Sequence, residues 1–267
     1  KIISICAIMI IPFMAFGQWS SKEVAAKRID KPVKIDGLLN EPVWEQAPEV
    51  TDFIQYEPDQ GKPASEKTVV KILYDDRYIY FGFYCYDSSP GKIAAQTTKR
   101  DDRIQKDDSV HVLLDTFHDR RTCYYFVSNL LGTQLDGRIS DNGRTNDVTW
   151  DGIWKSAGHE TDFGWSAELA LELRSLKYEP GENQTWGLSL GRRIPRKLES
   201  TFWTGPLESS YKVSQFGMLT DMMLKKSKKK VQIIPHLIST AEEKKETEMN
   251  AGLDVRYAFS QLVSGNI

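Results

Sequence analysis

Apolar and polar residues alternate with a period of two over most of the chain, which indicates β-strands. The segment 164–172 is the clearest example, because one of its faces is wholly apolar. Its other face carries Ser166, Glu168 and Glu172. The alternation predicts a half-buried strand whose polar face is directed away from the core.

Nine segments have this character, and they are separated by short polar or glycine-containing stretches. They are 67–74, 78–87, 110–115, 123–128, 132–139, 150–156, 164–172, 185–194 and 213–219. Asp75-Asp76-Arg77 between the first two predicts a hairpin turn. Only 41–47 has a helical pattern, and it is short. Many short strands at even spacing predict an all-β fold, an antiparallel β-sandwich over residues 33–223.

The N-terminal segment has the layout of a secretory signal peptide. Lys1 precedes the apolar run 2–16, and small residues occupy the positions just before a cleavage site after Gly17. The run is shorter than the roughly 20 apolar residues of a membrane span, the alternative being an N-terminal anchor. We therefore expect residues 1–17 to be removed on export, and 18–32 to form a lead-in to the sandwich.

Composition changes at Leu224. A lysine-rich linker, 224–230, is followed by a second alternating region, 231–267. In the segment 251–259 one face is entirely apolar and ends in Tyr257 and Phe259, while the other is small or charged. Strands of outer-membrane β-barrels show this alternation, with an apolar face toward lipid and a polar face toward the barrel interior. We therefore expect 231–267 to be the first hairpin of a truncated outer-membrane β-barrel, and the chain to reside in the periplasm and outer membrane of a Gram-negative bacterium.

The net charge and the absence of several catalytic motifs from the sequence argue against some classes of function. The 267 residues carry a formal charge of −2, so nothing points to nucleic acid as a partner. The four histidines show no metal-binding spacing, and no HExxH, GxSxG or glycine-rich phosphate loop occurs. Cys85 and Cys123 remain after export, and they form either a cross-strand disulfide or two buried thiols.

A series of short motifs occurs in a specific order. They are Ile35-Asp36-Gly37, Glu41-Pro42-Val43-Trp44, Asp108-Ser109-Val110, Trp150-Asp151-Gly152, Gly164-Trp165-Ser166-Ala167-Glu168 and Arg192-Arg193-Ile194-Pro195. In this order they resemble the family 9 carbohydrate-binding modules. They are also similar to bacterial outer-membrane proteins in which such a module precedes a barrel, a domain family labelled DUF5916. The resemblance implies a β-sandwich, export and a polysaccharide or oligosaccharide ligand.

The resemblance also suggests where a sugar would bind. Modules of this family clamp a sugar between two tryptophans, with charged residues nearby. The register from Asp108 places the first clamp position near Gln105 and a charged position at His111. The second clamp position falls at Ser210 or Tyr211, and an arginine position falls near Val127.

Trp203 and Arg196 are two further candidate ligand contacts, indicated by their own sequence surroundings. Trp203 lies in the loop region 198–212, where an exposed indole can stack on a sugar ring, the alternative being loop packing. Arg196 lies in a cluster of basic residues that suits a carboxylate ligand, the alternative being ion pairing with a local acid such as Glu199.

The acidic stretch 101–108 is a candidate cation site. Asp107 and Asp108 are predicted ligands of a structural Ca²⁺, because hard cations prefer carboxylate oxygens. The alternative is a solvated acidic loop, and no other cofactor is predicted. The leading functional hypothesis is a non-catalytic carbohydrate-binding module. The alternatives are a glycan hydrolase and a periplasmic plug or assembly domain without a sugar ligand.

Overall fold

Two β-sheets pack face to face between residues 22 and 225. The computed structural model describes residues 22–225, 231–240, 248–258 and 264–266. The strands of the sandwich are β1 (Glu23–Ala25), β2 (Lys27–Arg28), β3 (Ile54–Glu57), β4 (Thr68–Tyr74), β5 (Tyr78–Tyr86), β6 (Ser109–Asp115), β7 (Cys123–Asn129), β8 (Gln134–Ser140), β9 (Thr145–Asp147), β10 (Trp154–Thr161), β11 (Gly164–Glu172), β12 (Gly181–Ile194), β13 (Glu199–Phe202) and β14 (Gly217–Leu224). Short 3₁₀ turns connect them at Pro42–Gln46, Pro90–Lys92, Ile104–Lys106, Asp141–Gly143, Leu173–Ser175, Pro195–Lys197 and Val213–Gln215.

The large sheet has the order β1-β14-β12-β6-β7-β8-β9, with β13 and β3 added beside β12. The small sheet has the order β10-β11-β5-β4-β2. Pairing is antiparallel except at β1 with β14 and β2 with β4, which are parallel. Residues 23–28 therefore extend both sheets of the sandwich, and the expected all-antiparallel arrangement is wrong at these two pairs.

Apolar side chains fill the space between the sheets. Trp165 and Phe81 of the small sheet and Trp186, Leu188 and Val112 of the large sheet are fully buried there. The alternation seen in the sequence places these residues on the inner faces. The all-β sandwich expected from the pattern is therefore present.

Several strand predictions match the structure closely. The turn between β4 and β5 is closed by Asp75, whose Oδ1 accepts hydrogen bonds of 2.7 Å from the backbone N–H groups of Arg77 and Tyr78. The predicted strand 164–172 coincides with β11. The predicted strand 150–156 instead begins at Trp154, and the predicted helix 41–47 is a 3₁₀ turn.

The second face of β11 is buried too, which the alternation did not predict. Glu168 Oε2 accepts hydrogen bonds from the backbone N–H groups of Asp36 and Gly37, and Ser166 Oγ donates to the Gly37 carbonyl. Gly37 has φ +85°, and a Cβ there would lie 2.7 Å from the backbone of Gly158. The Ile35-Asp36-Gly37 motif is thus a structural lock that holds the segment 33–47 over the small sheet.

A second, smaller apolar cluster lies on the outer face of the large sheet. We call it the outer cluster; its buried members are Ile104, Leu113, Cys123, Tyr125, Val127, Ile139, Phe202, Leu207 and Val213. The loop 203–216 covers it. This cluster supports the candidate site described below.

Three further strands form a separate antiparallel sheet, namely β15 (Val231–Thr240), β16 (Glu248–Ala258) and β17 (Ser264–Asn266). Cys85 and Cys123 are both buried free thiols, so the disulfide is not formed. Among the described residues, no helix is long and apolar enough to cross a membrane. The predicted signal peptide, 1–17, lies outside the described residues.

Candidate functional site

A pocket of about 320 Å³ opens on the outer face of the large sheet, beside the outer cluster. It is lined by residues from β3, β6, β7, β8, β12 and β13 and from two loops. The lining residues are Tyr56, Glu57, Ile104, Gln105, Ser109, His111, Leu113, Val127, Leu135, Arg192, Arg193, Ser200, Phe202, Ser210 and Tyr211. Its volume lies at the lower end of the range of small-molecule pockets, which suits a ligand the size of one sugar ring.

The pocket brings together the positions derived from the family resemblance. Gln105, His111, Val127, Ser210 and Tyr211 all line it, although they are separated by up to about a hundred residues in the chain. The side chains differ from the family pattern, because neither clamp position holds a tryptophan. The positions implied by the family resemblance therefore lie in one pocket, whereas the residue types that form its walls differ from those of the family.

Aromatic side chains form much of the pocket wall. Phe202 lies at the base, with its ring edge-to-face against Tyr56 at 6.2 Å and against His111 at 6.3 Å between centroids. Tyr211 packs against Tyr125 of the outer cluster, with 5.8 Å between centroids. Such surfaces accept the apolar face of a sugar ring. Phe202 and Tyr56 were not predicted as site residues from the sequence. The strand alternation that places Phe202 on the outer face is the signal that could have identified this aromatic wall.

The loop that carries Tyr211 is held by specific hydrogen bonds. Asn142 and Ser214 exchange two of them, of 3.0 and 2.9 Å. The Gln60 side-chain amide donates to the Leu207 carbonyl at 2.7 Å. These contacts fix the loop at Leu207 and Ser214, on either side of Tyr211 in the chain, so Tyr211 is positioned before any ligand arrives.

The pocket contains one cation that lacks a carboxylate partner. Arg193 donates from Nε to the Gln105 carbonyl at 2.9 Å and from Nη1 to Ser200 Oγ at 3.2 Å. Burial and the neighbouring charge of Arg193 lower the pKa of His111 to about 4, so the imidazole is neutral at neutral pH. Glu57 is exposed at the pocket rim. It is the sole acidic residue among those lining the pocket, which does not provide the carboxylate pair of a typical glycosidase.

Trp203 does not line this pocket. Its side chain is 5% exposed and belongs to the core between the sheets. The backbone N–H of Trp203 still pairs with the Leu190 carbonyl, so the strand alternation continues past Phe202. Because Phe202 faces outward, Trp203 faces inward. The expectation of an exposed loop indole is therefore wrong.

Arg196 is engaged by acids within the protein. Its Nη2 donates to both carboxylate oxygens of Asp87, at 2.6 and 2.8 Å, and its Nη1 lies 3.7 Å from Asp108. Glu66, 3.9 Å away, also pairs with Lys197. The ion-pairing alternative is correct, but the partners are Asp87 and Glu66 rather than Glu199. Arg196 is outside the pocket lining and has little charge left to offer a ligand.

Asp107 and Asp108 are buried and serve the protein backbone. Asp107 accepts hydrogen bonds from the N–H groups of Gln96 and Thr97 and from Asn129 Nδ2. Burial acts to raise the pKa of Asp107, but these hydrogen bonds outweigh it and the pKa is lowered. Asp108 Oδ2 accepts from the Ala94 N–H. The pair anchors the segment 94–97. Both residues are fully buried, so the solvated alternative is wrong for them, and the Ca²⁺ role stays a prediction.

Another set of carboxylates lies nearby. Among the described residues, Asp101, Asp136 and Asp151 present oxygen atoms within 4.8 Å of one another. Arg100 bridges them, with its guanidinium 2.5 Å from Asp136, 3.3 Å from Asp151 and 3.3 Å from Asp101. A cation bound by these three oxygens would have to displace the guanidinium group.

The sequence and the fold of this chain are both similar to those of known proteins. The family described as carbohydrate family 9 binding domain-like matches residues 35–192. A family 9 module from Caldicellulosiruptor kristjanssonii, solved with cellotriose, is 15% identical with a TM-score of 0.56 over 78% of this chain and 96% of its own. The same kind of module solved with glucose is 16% identical, with a TM-score of 0.57 over 78% and 98% of the two chains.

A putative carbohydrate-binding protein from Bacteroides uniformis has the same fold. It is 14% identical, with a TM-score of 0.61 over 75% of this chain and 99% of its own. A search of curated proteins gives no match. Because the family match covers more than half of the sequence and the fold agrees, the chain belongs to the carbohydrate family 9 binding domain-like family.

Proposed function

We propose that this protein binds carbohydrate in the pocket beside the outer cluster, without catalysing a reaction. The observation that carries the proposal is the meeting of Gln105, His111 and Tyr211 in one aromatic-walled pocket of about 320 Å³. The relatives solved with glucose and cellotriose support a sugar as the ligand class. Stacking on Tyr211, above the buried Phe202 at the base, together with hydrogen bonds from the polar lining residues would hold one sugar ring.

Calorimetry with glucose and cellotriose tests this proposal. We expect binding that weakens about fivefold or more in Tyr211→Ala, because the variant loses ring-stacking area. Phe117→Ala is the matched control, since Phe117 is an exposed aromatic residue outside this pocket. Absence of binding by the folded protein, or equal weakening in both variants, would reject the proposal.

We further propose that the protein is exported and attached to the outer membrane through the region 231–267. The support is the signal-like segment 1–17 and the alternation in 251–259. Expression in a Gram-negative host followed by membrane fractionation tests it. We expect a product that begins at Gln18 and an outer-membrane location that is lost when 231–267 is deleted. A cytoplasmic product that retains residues 2–16 contradicts it.

A further inference from the structure

We infer that the pocket prefers a sugar that carries a carboxylate, a uronic acid, with Arg193 as the residue that binds the acid group. The inference rests on the proposed carbohydrate function and narrows its ligand class. It is based on how the arginines at the end of β12 are partnered.

Three arginines occur at this end of the strand, and two of them are neutralised within the protein. Arg192 is 1% exposed, lies 3.5 Å from Asp87 and donates to the carbonyls of Lys67 and Tyr86. Arg196 forms two short hydrogen bonds with Asp87. Within the described part of the chain, Arg193 forms no ion pair. Of the three arginines, Arg193 is therefore the one whose positive charge remains available to an anionic ligand.

The guanidinium of Arg193 is already oriented. Its hydrogen bonds to the Gln105 carbonyl and Ser200 Oγ use Nε and Nη1, while Nη2 donates to no described residue. A planar guanidinium held in this way recognises a carboxylate with little further loss of side-chain entropy. Arg193 is half-buried, so its attraction for an anion is less screened than at an open surface.

The neighbours of Arg193 fit a ligand that is both acidic and hydroxylated. His111 is neutral at neutral pH and adds no second charge. Its Nε2 lies 3.3 Å from Ser109 Oγ, and this polar pair in the pocket lining can hydrogen-bond a sugar hydroxyl group. Glu57 acts against this preference, because its carboxylate would repel an acidic ligand. It is exposed at the rim and forms no ion pair with Arg193 among the described residues, so its field is screened by solvent.

Calorimetry of the purified chain with glucuronate, its neutral amide and glucose tests the inference without any variant. We expect glucuronate to bind about tenfold more tightly than glucose or the amide, a difference typical of a charge-assisted hydrogen-bonded pair. The preference should decrease as ionic strength rises. Equal or weaker binding of glucuronate would overturn the inference, and normal glucose binding in the same experiment would leave the proposed function intact.

Two substitutions locate the preference. Arg193→Gln should abolish the preference, so that the ratio of glucuronate affinity to glucose affinity falls to about one. Glu57→Gln should increase the ratio of glucuronate affinity to glucose affinity, because a repulsive charge is removed. Persistence of the preference in a folded Arg193→Gln variant would overturn the role of Arg193.

Discussion

At the scale of single residues, identical side chains take different roles according to their partners. Glu168 and Glu172 lie on the same face of β11, and both are buried. Glu172 is within 3.0 Å of Arg77 and 2.8 Å of Arg174. Glu168 pairs with no cation among the described residues and accepts only backbone N–H groups. The two glutamates therefore respond in opposite ways to loss of charge.

Glu168→Gln should stabilise the protein at pH 7 by on the order of 1 kcal/mol, because one amide oxygen can accept both N–H bonds without a buried charge. Burial raises the pKa of Glu168, so the folded state binds more protons than the unfolded state just above pH 4.5. Wild-type stability therefore falls as pH rises through that window, and the variant loses this contribution. Urea unfolding between pH 4 and 7 measures it. Glu172→Gln is the control and should destabilise; stabilisation by both would contradict the explanation.

His111 should titrate near pH 4 in the folded protein, as followed by NMR of its ring protons. A lowered histidine pKa means that the unfolded state binds more protons between about pH 4 and 6.5. Stability contributed by His111 is thus present above pH 6.5 and is lost as pH falls through that range. Arg193→Gln should raise the midpoint, because part of the shift comes from the Arg193 charge. An unchanged midpoint would assign the whole shift to burial.

At the scale of elements, local sequence patterns predicted the positions of the strands well. They predicted poorly which polar side chains are buried and which residues these side chains contact. The hairpin at Asp75 and the bounds of β11 follow from turn chemistry and alternation, which are local. The burial of Glu168 depends on the segment 33–47, which lies more than a hundred residues away in the chain. Trp203 was misplaced because the strand alternation extends past the end of β13. The pocket positions follow from the family resemblance, aligned at Asp108, but the ion-pair partners of Arg196 could not be predicted.

The lock formed by the Ile35-Asp36-Gly37 motif predicts a strong effect of Gly37→Ala. We expect a loss of roughly 3 kcal/mol or more, because the new Cβ would meet the backbone of Gly158 and the residue has φ +85°. Gly61→Ala is the matched control. Gly61 has φ +88°, but nothing lies within 4 Å of its added Cβ, so only backbone strain of about 1 kcal/mol is expected. Equal losses in urea unfolding would show that φ alone matters.

At the scale of the whole molecule, a buried arginine joins the two sheets. Arg192 extends from β12 of the large sheet and donates to backbone carbonyls at both ends of the β4–β5 hairpin in the small sheet. Asp87, which follows β5, supplies the opposing carboxylate. Polar groups that are buried and bonded in this way hold the sheets in one relative position, in addition to the apolar core.

Arg192→Leu should destabilise the protein by about 3–5 kcal/mol, because Asp87 loses its buried opposing charge and two carbonyls lose a buried donor. Arg138→Gln is the control, since Arg138 and Asp147 form an exposed pair with side chains 46% and 35% accessible. That variant should lose no more than about 1 kcal/mol. Thermal unfolding measures both. Similar small losses would indicate that Arg196 alone satisfies Asp87.

The outer cluster is separate from the core between the sheets, and this has a consequence for engineering new specificities. Substitutions at Gln105, His111 or Tyr211 alter a surface whose support does not include the inter-sheet core that contributes most of the buried apolar side chains. A combinatorial library at these positions should therefore retain a large fraction of soluble, folded members. Ligand specificity could then be changed on this scaffold at small cost in stability, because the outer cluster and the inter-sheet core share no apolar side chain.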